Sequence, residues 1–133
     1  MRYELEIPGK PMGKQRPKFG KGFAYTPKET VNYENYVKML FQSKYGQPLL
    51  QGKVNISLKA YFSIPKSTSK KQKNKMLLGD VKPLKKPDCD NIAKVILDSL
   101  NNIAYKDDKQ VVSLTVKKFY SDMPKVCIEL WEE

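Results

Sequence analysis

Polar and apolar residues alternate strictly in four stretches of this chain, and a period of two marks a half-buried β-strand. Tyr3, Leu5 and Ile7 alternate with Arg2, Glu4 and Glu6. Val54, Ile56, Leu58, Ala60, Phe62 and Ile64 alternate with Lys53, Asn55, Ser57, Lys59, Tyr61 and Ser63. Val112, Leu114 and Val116 alternate with Ser113, Thr115 and Lys117; Val126, Ile128 and Leu130 alternate with Cys127, Glu129 and Trp131. Only the turn-forming link Ser121-Asp122-Met123-Pro124 separates the last two strands, which predicts a hairpin.

Between the strands the apolar period lengthens to that of a helix. Thr26-Pro27-Lys28-Glu29 predicts a capping box with proline at the first helical position. Val31, Tyr33, Tyr36, Val37, Leu40 and Phe41 then recur at helical spacing until Gly46 and Pro48 close the helix. Ser69-Lys70-Lys71-Gln72 predicts a second, shorter helix ending near Gly79, and a third starts around Asp88–Asp90 and runs to about Ala104. Gly9–Tyr25 is polar and glycine-rich and is expected to be a loop; one of that length in a compact domain is usually functional or disordered. The order β-α-β-α-α-β-β predicts one α+β domain over residues 1–133, with a mostly antiparallel sheet of about four strands packed with helices.

A chain of 133 residues can bury its own core without disulfides or a structural metal. It contains no histidine, which excludes a Ser-His-Asp triad, a Cys-His pair and a histidine-ligated zinc. Cys89 and Cys127 have no metal-binding spacing, and so sparse a pair reads as thiols of a reducing compartment. The N-terminus lacks the apolar block of a signal peptide and no run approaches a membrane span. The expectation is a soluble cytoplasmic protein with no membrane partner.

Charge changes the picture more than composition does. Twenty-five basic against 14 acidic residues give a net +11. Residues 10–28 hold Lys10, Lys14, Arg16, Lys18, Lys21 and Lys28 with no acid; residues 66–86 hold eight lysines, among them Lys85 and Lys86, against Asp80 alone. These two stretches account for more than the whole net charge, and a patched excess of this kind is the footprint of a polyanion partner, with nucleic acid the leading candidate.

Immediately after Lys85-Lys86 come Asp88, Asp90, Asp98, Asp107 and Asp108. At ~100° per residue, Ile92, Val95, Ile96, Ser99, Leu100 and Ile103 form one stripe of the third helix, and Asp90, Lys94 and Asp98 lie on the opposite face. Each piece alone has an ordinary structural use: Asp-x-Asp as a helix cap, Asp90–Lys94–Asp98 as a solvated ladder, Asp107-Asp108 as a turn. Together they are odd, because acids beside a phosphate-binding surface repel the ligand unless a cation stands between. All-oxygen donors suit Mg²⁺, which keeps positions free for water and phosphate and promotes phosphodiester chemistry. Lys94, one turn beyond Asp90, is placed to steady the phosphate or its transition state.

At these residues the sequence resembles the RusA-type Holliday junction resolvases of phages and prophages. Lys86-Pro87-Asp88-Cys89-Asp90-Asn91-Ile92-Ala93-Lys94, through Asp98-Ser99-Leu100 to Asp107-Asp108-Lys109-Gln110-Val111-Val112, is similar to the family's D-x-D-N-x-x-K-x-x-x-D-x-L stretch and the D-D-x-x-V that follows. Gly13-Lys14-Gln15-Arg16-Pro17-Lys18-Phe19, with Tyr25-Thr26-Pro27 and Tyr33-Glu34, is similar to the N-terminal segment of phage-type members. The resemblance implies metal-binding aspartates at Asp88, Asp90 and Asp108 and an essential lysine at Lys94. It favours Asp108 over Asp107, gives Asp98 a supporting role, and leaves Cys89 as a departure where relatives usually carry an aliphatic residue.

By the same resemblance the protein is a homodimeric, Mg²⁺-dependent endonuclease that resolves four-way DNA junctions by paired symmetric nicks in recombination and repair, with Mn²⁺ as an open substitute. Metal held by the three aspartates would activate a water for in-line attack. Lys14, Arg16, Lys18, Lys21, Lys85 and Lys86 would grip the arms through phosphates, and Phe19, Phe23 and Tyr25 are candidates either for stacking on unpaired bases or for packing within their own loop. The rival readings are a non-catalytic basic nucleic-acid-binding module, a structural protein that neutralises DNA, and a nuclease for flaps or forks.

Overall fold

Val54, Ile56, Leu58, Ala60 and Phe62 are all buried, and the strand that carries them takes the interior of the sheet. The structure is a computed structural model describing residues 1–133. Its main sheet has the order β1-β6-β4-β5, with β1 spanning Arg2–Pro8, β4 Val54–Ser63, β5 Val111–Ser121 and β6 Lys125–Glu132. The pairs β1–β6 and β6–β4 are antiparallel and β4–β5 is parallel. The α+β class and the mostly antiparallel four-stranded sheet are therefore as the pattern predicts.

The predicted β5–β6 hairpin does not form. Strand β4 lies between the two, and Asp122-Met123-Pro124 carry the chain over its end, from Ser121 beside Ser63 to Lys125 beside Tyr61. The crossing spans about 10 Å, two strand spacings, which so short a link can reach. The most apolar strand gains most from neighbours on both edges, whereas Ser113, Thr115, Lys117 and Lys118 suit β5 to an outer position. The alternation predicted for β5 also breaks. The pairing register jumps from Val111 opposite Val54 to Ser113 opposite Asn55, so Val111 packs against the core while Val112 is exposed.

Helix α1 (Lys28–Tyr45) packs on α3 (Cys89–Leu100), and the two cover one face of the sheet, against β1 and β5 respectively. Ile92, Val95, Ile96 and Leu100 enter the core from α3, and Val37 and Phe41 from α1. The other face, with Lys59, Tyr61, Lys117 and Phe119, carries no helix. The short helix α2 (Lys70–Leu77) lies along β5, capped by Ser69, whose hydroxyl accepts from the Gln72 N–H at 3.2 Å. No helix is long and apolar enough to cross a membrane.

Two helix ends differ from expectation. The Thr26 capping box is absent: Pro27 is the residue before α1, and no side chain caps the helix. Glu29 instead accepts from Gln15 Nε2 at 3.2 Å, so the carboxylate that would close the box holds the preceding loop. Helix α3 stops at Leu100, short of Ala104: Asn101 leaves helical geometry (φ −58°, ψ 132°) and Asn102 then turns to a positive φ of 62°. The following Ile103, Ala104 and Tyr105 remain buried as irregular chain.

The Gly9–Tyr25 loop is not structureless. It holds a second small sheet, β2 (Lys18–Gly20) paired with β3 (Phe23–Tyr25).

Candidate active site

The first turn of α3 presents both residues of the Asp-x-Asp pair. Asp88, directly after Pro87, is extended (φ −73°, ψ 158°) and occupies the position before the helix, where an aspartate ordinarily caps it. Here its side chain makes no capping bond, so an exposed carboxylate is left free to meet a ligand. Asp90 follows in the first turn and is also exposed. The helix N-terminus adds a partial positive charge that favours these carboxylates and phosphate alike.

The N-terminal loop is pinned beside this turn. Lys14 N–H donates to the Asn91 carbonyl at 3.0 Å, and Gly13 lies so close that a Cβ there would come within 2.8 Å of Pro87 Cβ. Gln15 N–H donates to Thr30 Oγ1 at 3.3 Å, while the Thr30 hydroxyl donates to Gln15 Oε1 at 3.0 Å. These contacts make one open depression, lined by Lys10, Arg16, Lys86, Asp88 and Asn91 among others. Arg16 and Lys86, predicted to grip DNA, thus stand around a free carboxylate.

Lys14 is differently placed from its neighbours. Its Nζ lies 2.9 Å from Glu34 Oε2 on α1 and 3.1 Å from Asp98 Oδ2 on α3, with all three side chains at least three-quarters buried. Burial alone would lower its pKa, but hydrogen bonds and charge from Glu34 and Asp98 outweigh burial and raise it. Of the six cations assigned to DNA it is the one already committed to protein carboxylates. Lys14→Ala leaves Glu34 and Asp98 facing each other and is expected to cost about 1–2 kcal/mol, between the values of exposed and buried pairs, measured by urea unfolding. Because the folded pKa is raised, this stabilisation is present below the ordinary lysine value of 10.5 and is lost as pH rises through the folded value. Tyr33 and Tyr105, both pushed upward chiefly by burial, titrate in the alkaline range too. The diagnostic is therefore the difference between the two proteins, which should shrink above pH 10.5.

Asp98 also holds Lys94, at 3.6 Å one turn away, and the Lys94 side chain is otherwise exposed. Asp108 lies in the short turn Asp108–Gln110 before β5. Its carboxyl is raised by burial, then by the hydrogen bond and charge of Asp107 and the charge of Asp98, with Lys94 pulling the other way. Asp107 serves the turn itself, since its Oδ1 accepts from Lys109 N–H at 2.9 Å, which lowers its pKa. Gln110 completes this box by accepting from Asp107 N–H and donating to the Leu50 carbonyl. With Asp107 engaged as a cap, Asp108 is the freer member of the pair.

Asp88, Asp90 and Asp108 do not converge on one point, and no three acidic or thiol side chains form a metal-holding group. A Mg²⁺ ion does not require one, since one or two carboxylates suffice and water and phosphate complete its shell. The free Asp88, the exposed Asp90 and the histidine-free surroundings fit that mode of binding. Lys18 and Lys21 sit out on the β2–β3 ribbon. Lys85 lies 5.9 Å from the rings of Phe62 and Tyr120, and its carbonyl accepts from Lys118 Nζ.

Glu34 and Asn91 are the positioning residues that sequence reasoning left without a role, although both fall inside the stretches that carry the resemblance. The signal for Glu34 was an acid on an otherwise ordinary helix, with nothing local to pair it to a lysine twenty residues earlier. The sequence model of one family, described as endodeoxyribonuclease RusA, matches residues 8–131. The uncharacterized protein YqaN of Bacillus subtilis (strain 168) is 37% identical over 135 aligned positions, covering 97% of this chain and 95% of that protein.

Proposed function

Because the chain belongs to the RusA family of endodeoxyribonucleases, we propose that it resolves four-way DNA junctions by paired, symmetric nicks, acting as a homodimer with Mg²⁺. The observation that carries this reading is the free Asp88 carboxylate at the α3 N-terminus, in one depression with Lys10, Arg16 and Lys86. A passive DNA-binding surface gains nothing from exposed acids among its cations, whereas a cation-assisted phosphodiesterase needs both.

Arg16, Lys10 and Lys86 neutralise the phosphates of the bound strand, and the backbone N–H groups of the α3 first turn favour the phosphate that enters. Asp88 and Asp90 would hold the Mg²⁺, which when bound would lower the pKa of water and offset charge on the phosphoryl group. Lys94, steered by Asp98, supplies a fixed positive charge on the same face of α3 for the negative charge that develops as the ester breaks. Lys14, held by Glu34 of α1 and Asp98 of α3, keeps the loop in register with both helices, so that Arg16 stays in the depression with Asp88.

A four-way junction offers two equivalent strands, and a two-fold pair of chains offers two equivalent sites. This part of the reading is tested on a supercoiled plasmid that extrudes a cruciform. Nicks made in pairs within one encounter convert it to linear DNA. A single active site would leave nicked circles, because the first nick releases the supercoiling and the cruciform is reabsorbed. Linear product as the main early species is the expected result; nicked circles alone would contradict the paired mechanism.

A further inference from the structure

Just beyond its anchor at Gln15, the N-terminal loop rises as a ribbon whose shape is well defined and whose side chains are not satisfied by the fold. Lys21 and Gly22 form its turn with φ of 50° and 83°, the two-residue geometry that matches the twist of a hairpin. Phe19 is opposite Ala24 and Gly20 is opposite Phe23, so Phe19 leaves one face of the ribbon and Phe23 the other. Tyr25 has a seat over Gly20, where a Cβ would come within 3.2 Å of its ring, and Phe23 meets its edge at 6.4 Å. Phe19 has no aromatic neighbour and is 83% exposed; Phe23 is 60% exposed. Neither belongs to the core cluster or packs against it.

Two exposed phenylalanines on a ribbon of two three-residue strands forfeit burial unless something flat and apolar covers them. The charge beside them identifies the occupant. Lys18 and Lys21 lie on the ribbon itself, Arg16 and Lys28 flank it in the chain, and there is no acid between residues 10 and 28, so the occupant is a polyanion that also offers planar apolar faces. Nucleic acid has both, but an intact duplex hides its base faces by stacking and exposes them only where the stack is interrupted. The foot of the ribbon is tied to Asn91 and packed against Pro87, so whatever the rings engage lies near the Asp88 carboxylate.

We infer that the β2–β3 ribbon is a wedge that recognises the branch point: Phe19 and Phe23 stack on base pairs left unstacked where the strands exchange, while Lys18 and Lys21 hold the flanking phosphates. This rests on the junction reading above and adds to it the element that distinguishes a branch from linear DNA. Stacking on an aromatic side chain is lost with the ring and is sequence-tolerant, as branch recognition requires.

The test compares the Asp90→Asn protein with the same protein carrying Phe19→Ala and Phe23→Ala, both in Mg²⁺. The DNA is a four-way junction with 2-aminopurine beside the crossover, or a linear duplex of the same sequence. The intact ribbon should raise 2-aminopurine fluorescence severalfold. Removing the rings should abolish that rise and weaken junction binding by about 10- to 100-fold, with linear-duplex binding and the melting temperature unchanged. Phe19→Leu with Phe23→Leu, which keeps apolar bulk without a ring, should behave like the alanine pair. Equal fluorescence and equal junction affinity with and without the rings would overturn the wedge alone. A parallel loss on junction and linear DNA, or a change in the oligomeric state of the free protein, would also overturn it, by assigning the rings to general grip or to a second copy. If the intact ribbon binds junction no better than linear duplex, the junction reading itself fails.

Discussion

Asp90→Asn is expected to reduce strand cleavage by about 10³-fold while junction binding stays equal or tightens. Charge neutralisation by a metal ion is worth several kcal/mol in the transition state, and each 1.36 kcal/mol is a factor of ten in rate. Asparagine keeps the size of aspartate but removes the negative charge that recommends it as a ligand. It also removes a charge that repels the DNA phosphates in the ground state, which is why affinity should not fall. Asp90 is exposed and makes no side-chain hydrogen bond or ion pair within the chain, so the variant should fold. Rates on a labelled junction, with affinities from gel shift, separate the two effects. Full activity in the variant would mean that Asp90 only favours the helix N-terminus.

Phe41→Ala should have the largest effect on stability. Phe41 is 1% exposed, and its ring meets Tyr45 at 5.4 Å and Tyr3 at 6.1 Å. It therefore joins α1 to the outer strand β1 as well as filling the core. Truncating a buried phenylalanine costs about 3–5 kcal/mol, a large part of the total for a domain of this size. A chain of this length should lose roughly 10–20 °C in melting temperature. Thermal and urea unfolding monitored by circular dichroism give the value. A loss under about 1 kcal/mol would show that Tyr3 and Tyr45 close over the gap and that α1 is less firmly seated than its burial indicates.

How much of the fold is legible in the sequence follows the strength of each periodic signal. Strand β4 and the apolar stripe of α3 are legible because every inward position is filled by an apolar residue, and a shift of one residue would turn that whole set to the wrong side. The endodeoxyribonuclease family is legible for a different reason: Asp88, Asp90, Lys94 and the Asp107-Asp108 pair keep a spacing that few unrelated folds would reproduce. Strand pairing is not legible. A short link between two strands ordinarily makes a hairpin, and only the competition of all strands for the centre places β4 between β5 and β6.

The same limit applies at the site. Local sequence marks Thr26 and Glu29 as a capping pair, but Glu29 is drawn off by Gln15 from the loop. Lys14 reads as one cation of a basic run and proves to be clamped between α1 and α3. The ribbon at Lys18–Tyr25 hides in a polar stretch because three-residue strands are too short to show alternation. That Asp88 forgoes its capping bond is a matter of side-chain orientation, on which spacing is silent.

If this chain cuts branched DNA with its aspartates and a divalent cation, an end-labelled synthetic four-way junction should be cleaved beside an intact linear duplex of the same sequence, each incubated with Mg²⁺ or with EDTA. The expected result is a pair of nicks at symmetric positions near the crossover, present in Mg²⁺, absent in EDTA, with the linear duplex spared. Binding of the junction without nicks in either condition would contradict the claim, leaving a basic DNA-binding protein whose aspartates serve only the helix they begin.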